Sequence, residues 1–256
     1  MNIRRTAYVA AVACTALVLT KSAPAQDTAP RQESRSVIEL FTSQGCSSCP
    51  AADRLLGELA GDPSLVTLTL AVDYWDYLGW KDTLALHGHT VRQRAYSGAR
   101  GDRQVYTPQA VVNGAVHVLG SDRSAIDQAI LKTRGNGAPL PVGVQVAGDK
   151  ITVTVAAAKD DRRSGEIWLC PVTSKVLVVI GRGENNGRSI TYHNVVRRWV
   201  KLGDWNGETQ SFSASVADLA NANVAAKDID RVAVVVQAGV PAKPGPMLGA
   251  AIAAVK

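Results

Sequence analysis

The chain has 256 residues, 46% of them hydrophobic and 20% charged, which suits one large or two ordinary globular domains with full cores. Its formal charge of +6 drops to +3 when Arg4, Arg5 and Lys21 of the N-terminal leader are set aside, leaving 25 basic against 22 acidic residues. A balance of that size is no electrostatic footprint for nucleic acid, and no nucleic-acid partner is expected.

Residues 1–5 hold two arginines, residues 7–20 form an apolar run of 14 residues, and residues 23–25 read Ala-Pro-Ala, an A-x-A cleavage pattern. The run is too short to span a bilayer comfortably. Residues 1–25 are therefore expected to be a cleaved signal peptide, by the Sec or the twin-arginine route, for a periplasmic or secreted protein. No integral membrane segment is expected after cleavage. Residues 26–35 are polar and turn-rich and read as a linker. Cleavage removes Cys14 and leaves Cys46, Cys49 and Cys170. Disulfides persist outside the cytosol, and a close pair with one distant single fits a redox couple and a buried structural thiol.

Residues 37–41 (V-I-E-L-F) read as a buried strand. A helix is expected over 48–60, with Pro50 in its first turn, where a missing N–H does no harm. Residues 65–72 read as a central parallel strand. An aromatic-rich loop follows at 73–83, then a helix around 90–96. Asn113-Gly114 joins two apolar runs, 109–112 and 115–119, as a hairpin. A last helix is expected over 125–132. Strand, helix, strand, helix, hairpin, helix predicts an α/β domain over 36–137, a mixed sheet with helices on both faces. That is the thioredoxin-like order, and Thr107-Pro108 falls where that fold carries a cis-proline beside its cysteine pair. Residues 138–240 then offer about seven short strands, at 142–146, 151–155, 167–172, 176–180, 190–200, 209–216 and 231–237. They predict a mostly antiparallel, immunoglobulin-like β-sandwich domain. Residues 241–256, rich in alanine and glycine, read as a C-terminal tail that packs on the domain junction or trails.

Several motifs carry a resemblance: E-L-F-T-S-Q-G-C-S-S-C-P-A-A-D at 39–53, D-Y-W-D at 73–76, L-G-W-K-D at 78–82, R-Q-R-A-Y at 92–96 and V-Y-T-P-Q-A-V-V-N-G at 105–114. G-E-N-N-G-R at 183–188 and N-V-V-R at 194–197 extend it into the second half. The chain resembles the domain-of-unknown-function family 1223 of exported bacterial proteins with a thioredoxin-like domain. Ala51 stands where members usually have a second proline after Pro50. The resemblance implies a fold and a thiol–disulfide chemistry, and no substrate.

The cysteine pair is the candidate catalytic site. A thiolate at a helix start is favoured by the helix dipole. Cys46, at the more exposed end of C-S-S-C, would attack, and Cys49 would resolve the mixed disulfide. Thr107 and Pro108 would form a substrate-docking edge. Trp75 and Asp76, with Asp73, Tyr77 and Trp80, would frame a docking cleft, or form a hydrophobic lid or the seam with the sandwich. Glu39, the acid in an apolar strand, is a candidate proton shuttle for Cys49. Residues 183–188 read as a turn more than as a recognition loop. The expected function is exchange on protein thiols and disulfides, with an unidentified redox partner and no cofactor beyond the pair. Two alternatives stay open. One is a non-catalytic binding module with a structural Cys46–Cys49 disulfide, and the other is copper or zinc handling by the dithiol with His87 or His89.

Overall fold

The computed structural model describes Met1 and residues 35–134, 140–160, 164–222 and 224–255. The expected signal peptide and all of the expected linker except Arg35 lie outside these residues, Met1 apart. Strand β1 (Ser36–Thr42) is buried along its whole length and pairs in parallel with β2 (Leu65–Ala71), Val37 opposite Val66. Helix α1 (Cys49–Leu59) makes the crossover. The pleat of β1 sends Ile38 and Leu40 toward Ala52, Leu55, Leu56 and Leu59 of α1, and Val37 and Phe41 to the opposite face. Each such fully buried aliphatic side chain stabilises by about 1.5–3 kcal/mol.

Helix α2 (His87–Arg100) covers that opposite face through Tyr96, whose ring meets Phe41 edge-on. Strands β3 (Gln109–Val112) and β4 (Val116–Leu119) form the hairpin, with Asn113 and Gly114 both at positive φ. That is the primed turn an Asn-Gly pair favours. Helix α3 (Arg123–Arg134) packs beside α1 through Ile126, Ala129 and Ile130.

In the second half β5 (Val142–Ala147), β6 (Lys150–Val155) and β10 (Gln210–Ser215) make a three-stranded antiparallel sheet. The other strands belong to the first sheet rather than to a second sheet of their own. β7 (Gly165–Val179), β8 (Ser189–Val196), β9 (Val200–Trp205), β11 (Arg231–Val240) and β12 (Lys243–Ala254) extend the first sheet. Its order is β12-β11-β7-β8-β2-β1-β3-β4, with β9 also on β7. The join is the parallel contact of Thr69 with Val195. Two side-chain bonds reinforce it: Thr69 Oγ1 donates to His193 O (2.6 Å), and Asn194 Nδ2 donates to Thr67 Oγ1 (3.0 Å). Both faces of β11 are therefore covered. Val232, Val234 and Val236 meet the small sheet, and Ala233 and Val235 meet the core around Phe41 and Tyr96.

The expected strands at 167–172 and 176–180 are one continuous strand, β7, and the expected 190–200 strand divides into β8 and the start of β9. The expected tail is β12. Met247 N donates to Asn113 O (2.8 Å), and Leu140 N donates to Leu248 O (2.7 Å), so β12 ties the hairpin turn to the segment leading into β5. Close approach explains its small residues. A Cβ added to Gly249 would lie 2.3 Å from Leu140 O.

Candidate active site

Residues 43–46 leave the end of β1 as a tight turn. Gly45 N donates to Ser43 Oγ (3.1 Å) and Cys46 N to Ser43 O (3.2 Å). Gly45 is a place of close approach, since a Cβ there would come 3.0 Å from Trp75 Cβ. Cys49 N donates to Cys46 O (3.2 Å), and α1 starts at Cys49 with Pro50 in its first turn. Cys46 and Cys49 are joined by a disulfide, Cα atoms 5.4 Å apart. The sequence expectation that Cys46 is the exposed sulfur does not hold: Cys46 is 1% exposed and Cys49 0%. What the pair exposes is Ser47 and Ser48 between them.

Two loops pack on the turn that carries the pair. In the aromatic loop, Trp80 Nε1 donates to Gln44 Oε1 (2.8 Å), and Gln44 N donates to Asp82 Oδ2 (2.7 Å). Asp76 accepts from Asp82 N (3.0 Å), so it holds this loop together, and Tyr77 is left in solvent at 79% exposure. Trp75 Nε1 donates to Thr107 Oγ1 (2.8 Å). The Thr107–Pro108 peptide is cis, and Gln109, which follows it, stands opposite Phe41 in the β1–β3 register. Trp75 thus bridges Gly45 and Thr107, three elements meeting at the C-terminal end of β1. The second loop, 181–188, crosses from the second half of the chain. The buried Asn185 donates from Nδ2 to Gln44 O (2.9 Å) and Cys46 O (2.8 Å), and Ser47 N donates to Glu184 Oε2 (3.0 Å). The stretch read as a turn is a latch on the cysteine loop. A turn and a latch share the same Gly/Asn-rich composition, so the sequence signal could not separate them.

The candidate proton shuttle moves to another residue. Glu39 is fully buried, but the pleat of β1 places it on the face opposite α1 and Cys49. There it accepts from Arg92 Nε (2.6 Å) and from Tyr96 OH (2.5 Å), and Gln237 bonds both Arg92 and Tyr96. The Arg92 guanidinium lies over the rings of Tyr96 and Trp199, at 4.9 and 4.3 Å. Glu39 is paired with Arg92 on the face of β1 away from α1. Asp53 instead lies one helical turn beyond Cys49, on the same side of α1. It is 2% exposed, and among the described residues neither of its carboxylate oxygens has a hydrogen-bond partner. Thr42 Oγ1 and Tyr192 OH are likewise unpartnered. Burial raises the Asp53 pKa to about 8; the Thr42 hydroxyl, near the carboxylate but outside full hydrogen-bond geometry with it, offsets part of the rise, and the Asp82 carboxylate adds to it. Asp82, held by the N–H groups of Gln44 and Leu84, is raised to about 6, chiefly by burial. Sequence reasoning missed Asp53 because an acid among Ala51, Ala52 and Arg54 looks like a solvated helix face. Its spacing of four from Cys49 was the available signal.

The other candidates are placed apart. His87 is exposed and bonded to Asp73 (2.8 Å), whereas His89 is buried against Ala71 O (3.0 Å). Among the described residues no group of three or more His, Cys, Asp or Glu side chains gathers at one point. Cys170 is buried in the core with Phe41 and Tyr96, and burial pushes its thiol pKa up. No described helix is long and apolar enough to cross a membrane.

The crystal structure of protein AGR_C_4864 from Agrobacterium tumefaciens is similar to this chain at 31% identity and a TM-score of 0.75, over 88% of this chain and 96% of that one. No curated protein matches. The model of a family described as protein of unknown function (DUF1223) matches residues 37–237, which hold the cysteine loop, the aromatic loop and the latch, and the chain belongs to that family.

Proposed function

We propose that the chain is an exported thiol–disulfide exchange protein, in which a thioredoxin-like half presents Cys46 and Cys49 to protein thiols and disulfides. The observation that carries the reading is Asp53, an unpartnered buried acid one turn beyond the second sulfur of a disulfide at a helix start. In the oxidising direction a client thiolate attacks Cys46, the S–S bond breaks, and Cys49 leaves as a thiolate. Asp53, protonated near neutral pH, gives that thiolate its proton. A second client thiolate then attacks its own sulfur in the mixed disulfide, releasing Cys46. Two electrons pass from client to pair, and a partner disulfide takes them back. In the reducing direction each step reverses, and Asp53 as carboxylate accepts the Cys49 proton. The dipole of α1 favours thiolate at Cys46, while the Glu184 carboxylate at the same helix end opposes it.

One observation favours a second reading. Cys46 is 1% exposed, as a structural disulfide bracing a binding surface would be. Equilibration of residues 26–256 in glutathione buffers, with free thiols counted by alkylation mass shift, decides between them. A potential below about −300 mV marks a resistant structural bridge. A higher potential, with insulin reduction or ribonuclease reactivation lost in Cys46→Ser, supports exchange. Signal cleavage and export are tested by the N-terminal sequence of the protein recovered from a bacterial periplasmic fraction.

A further inference from the structure

We propose that the groove between α1 and β8 binds an extended segment of the client polypeptide, one in which apolar side chains alternate with carboxylates beside the reacting cysteine. This rests on the exchange reading above and names the substrate class of the same site. The groove encloses about 680 Å³. Pro50, Arg54 and Glu58 of α1 form one wall, and Ser189, Thr191 and His193 of β8 form the floor. Gly57 lets the helix sit this close, since a Cβ there would come 2.6 Å from His193 Cδ2.

One end of the groove adjoins the cysteine turn, whose sulfurs are themselves buried. Pro50 directly follows Cys49, and Arg188 at the same end donates to Asn185 Oδ1 (3.2 Å), the residue that holds Cys46 O. The far side is set by strand register. Lys175, Leu177 and Val179 of β7 stand opposite His193, Thr191 and Ser189, so they share the floor's face. Leu177 is 65% and Val179 66% exposed, an aliphatic ridge parallel to the helix wall. A hydroxyl-lined floor between a ridge spaced by two residues and a helix fits an extended chain, whose alternate side chains face the same way. Ser189 to His193 spans about 13 Å, or four to five client residues. Charge selects the client. Arg54, Arg188 and Lys175 border the groove against Glu58 of its lining and Glu184 at the cysteine end, a basic excess that attracts carboxylates and repels lysines.

The test uses residues 26–256 with the disulfide oxidised. The probe is a fluorescein-labelled nonapeptide of alternating leucine and glutamate, with serine in the cysteine position. Saturable binding by anisotropy is expected, about 10-fold weaker for Arg54→Glu and for the Leu177→Asp/Val179→Asp pair. A peptide with lysine for glutamate should bind at least 10-fold more weakly to the unaltered protein, a comparison no misfolded variant can confuse. Equal binding of the two peptides, unchanged affinity in both variants, or no saturation overturns the proposal. The probe has no thiol, so it reads the groove apart from the chemistry. Groove binding by a protein whose disulfide does not exchange would remove the exchange reading alone. Exchange on a cysteine-bearing version of the peptide with KM unchanged in Arg54→Glu would remove the groove alone.

Discussion

Asp53→Asn separates the stability of the site from its chemistry. In the unfolded chain an aspartate titrates near pH 4, whereas in the folded protein Asp53 titrates at about 8. Between those values the folded state holds a proton the unfolded state has lost, so stability falls as pH rises through that window. Below it both forms are protonated and no penalty exists; above about pH 8 the penalty is complete. Each pH unit in the window is worth about 1.4 kcal/mol, so Asp53 lowers stability by about 3 kcal/mol more at pH 7 than at pH 5. Asparagine has the same size, stays neutral and abolishes that difference. The variant is therefore expected to gain stability over the parent as pH rises from 5 to 7, by up to about 3 kcal/mol. Urea denaturation of both proteins with the disulfide intact measures it, and taking the difference cancels the titrating groups that do not couple to Asp53. On the proposed role of Asp53, reactivity should move the opposite way: the exchange rate should fall about 100-fold or more and its pH profile flatten near 8. A stability difference independent of pH, or a variant with unaltered exchange kinetics, would refute the role assigned to Asp53.

Three further perturbations probe the surrounding structure. Asn185→Ala removes both bonds from the latch to the cysteine loop, so reduction of the disulfide by a small phosphine should speed up several-fold, read by alkylation; an unchanged rate would mean the latch does not guard the sulfur. Glu39→Gln leaves Arg92 without its anion and should destabilise by about 3–5 kcal/mol in urea, while the pH dependence of exchange stays as in the parent. Gly249→Ala pushes a methyl toward Leu140 O and should lower stability by about 1–3 kcal/mol, whereas a trailing tail would tolerate it without effect.

The strands and helices of the first half were legible because local signals agreed there. The apolar β1, the proline-started α1, the long β2 and the Asn-Gly hairpin each follow from short-range chemistry, as does the cysteine pair at a helix start. The fusion of the two halves was less legible. β5 and β6 alternate as a sheet with one wet face should, but 231–237 reads R-V-A-V-V-V-Q without alternation. Both pleats of that strand are covered, by two different cores. An unbroken apolar run reveals burial on both faces and leaves its neighbours unnamed, which is why a separate sandwich was expected over residues 138–240.

Spacing and periodicity are local properties, and they alone place two cysteines at the start of a helix after a buried strand. Only long-range packing separates the two buried acids near them. Glu39 and Asp53 are both buried, and only the pleat of β1 and the 3.6-residue turn of α1 place the first against Arg92 and the second beyond Cys49. Tertiary structure also decided that Cys46 is covered, because the residue that holds its carbonyl, Asn185, is 139 positions away in the chain. No local pattern encodes a contact across that distance; it exists because β8 joins β2 and brings the latch over the helix start.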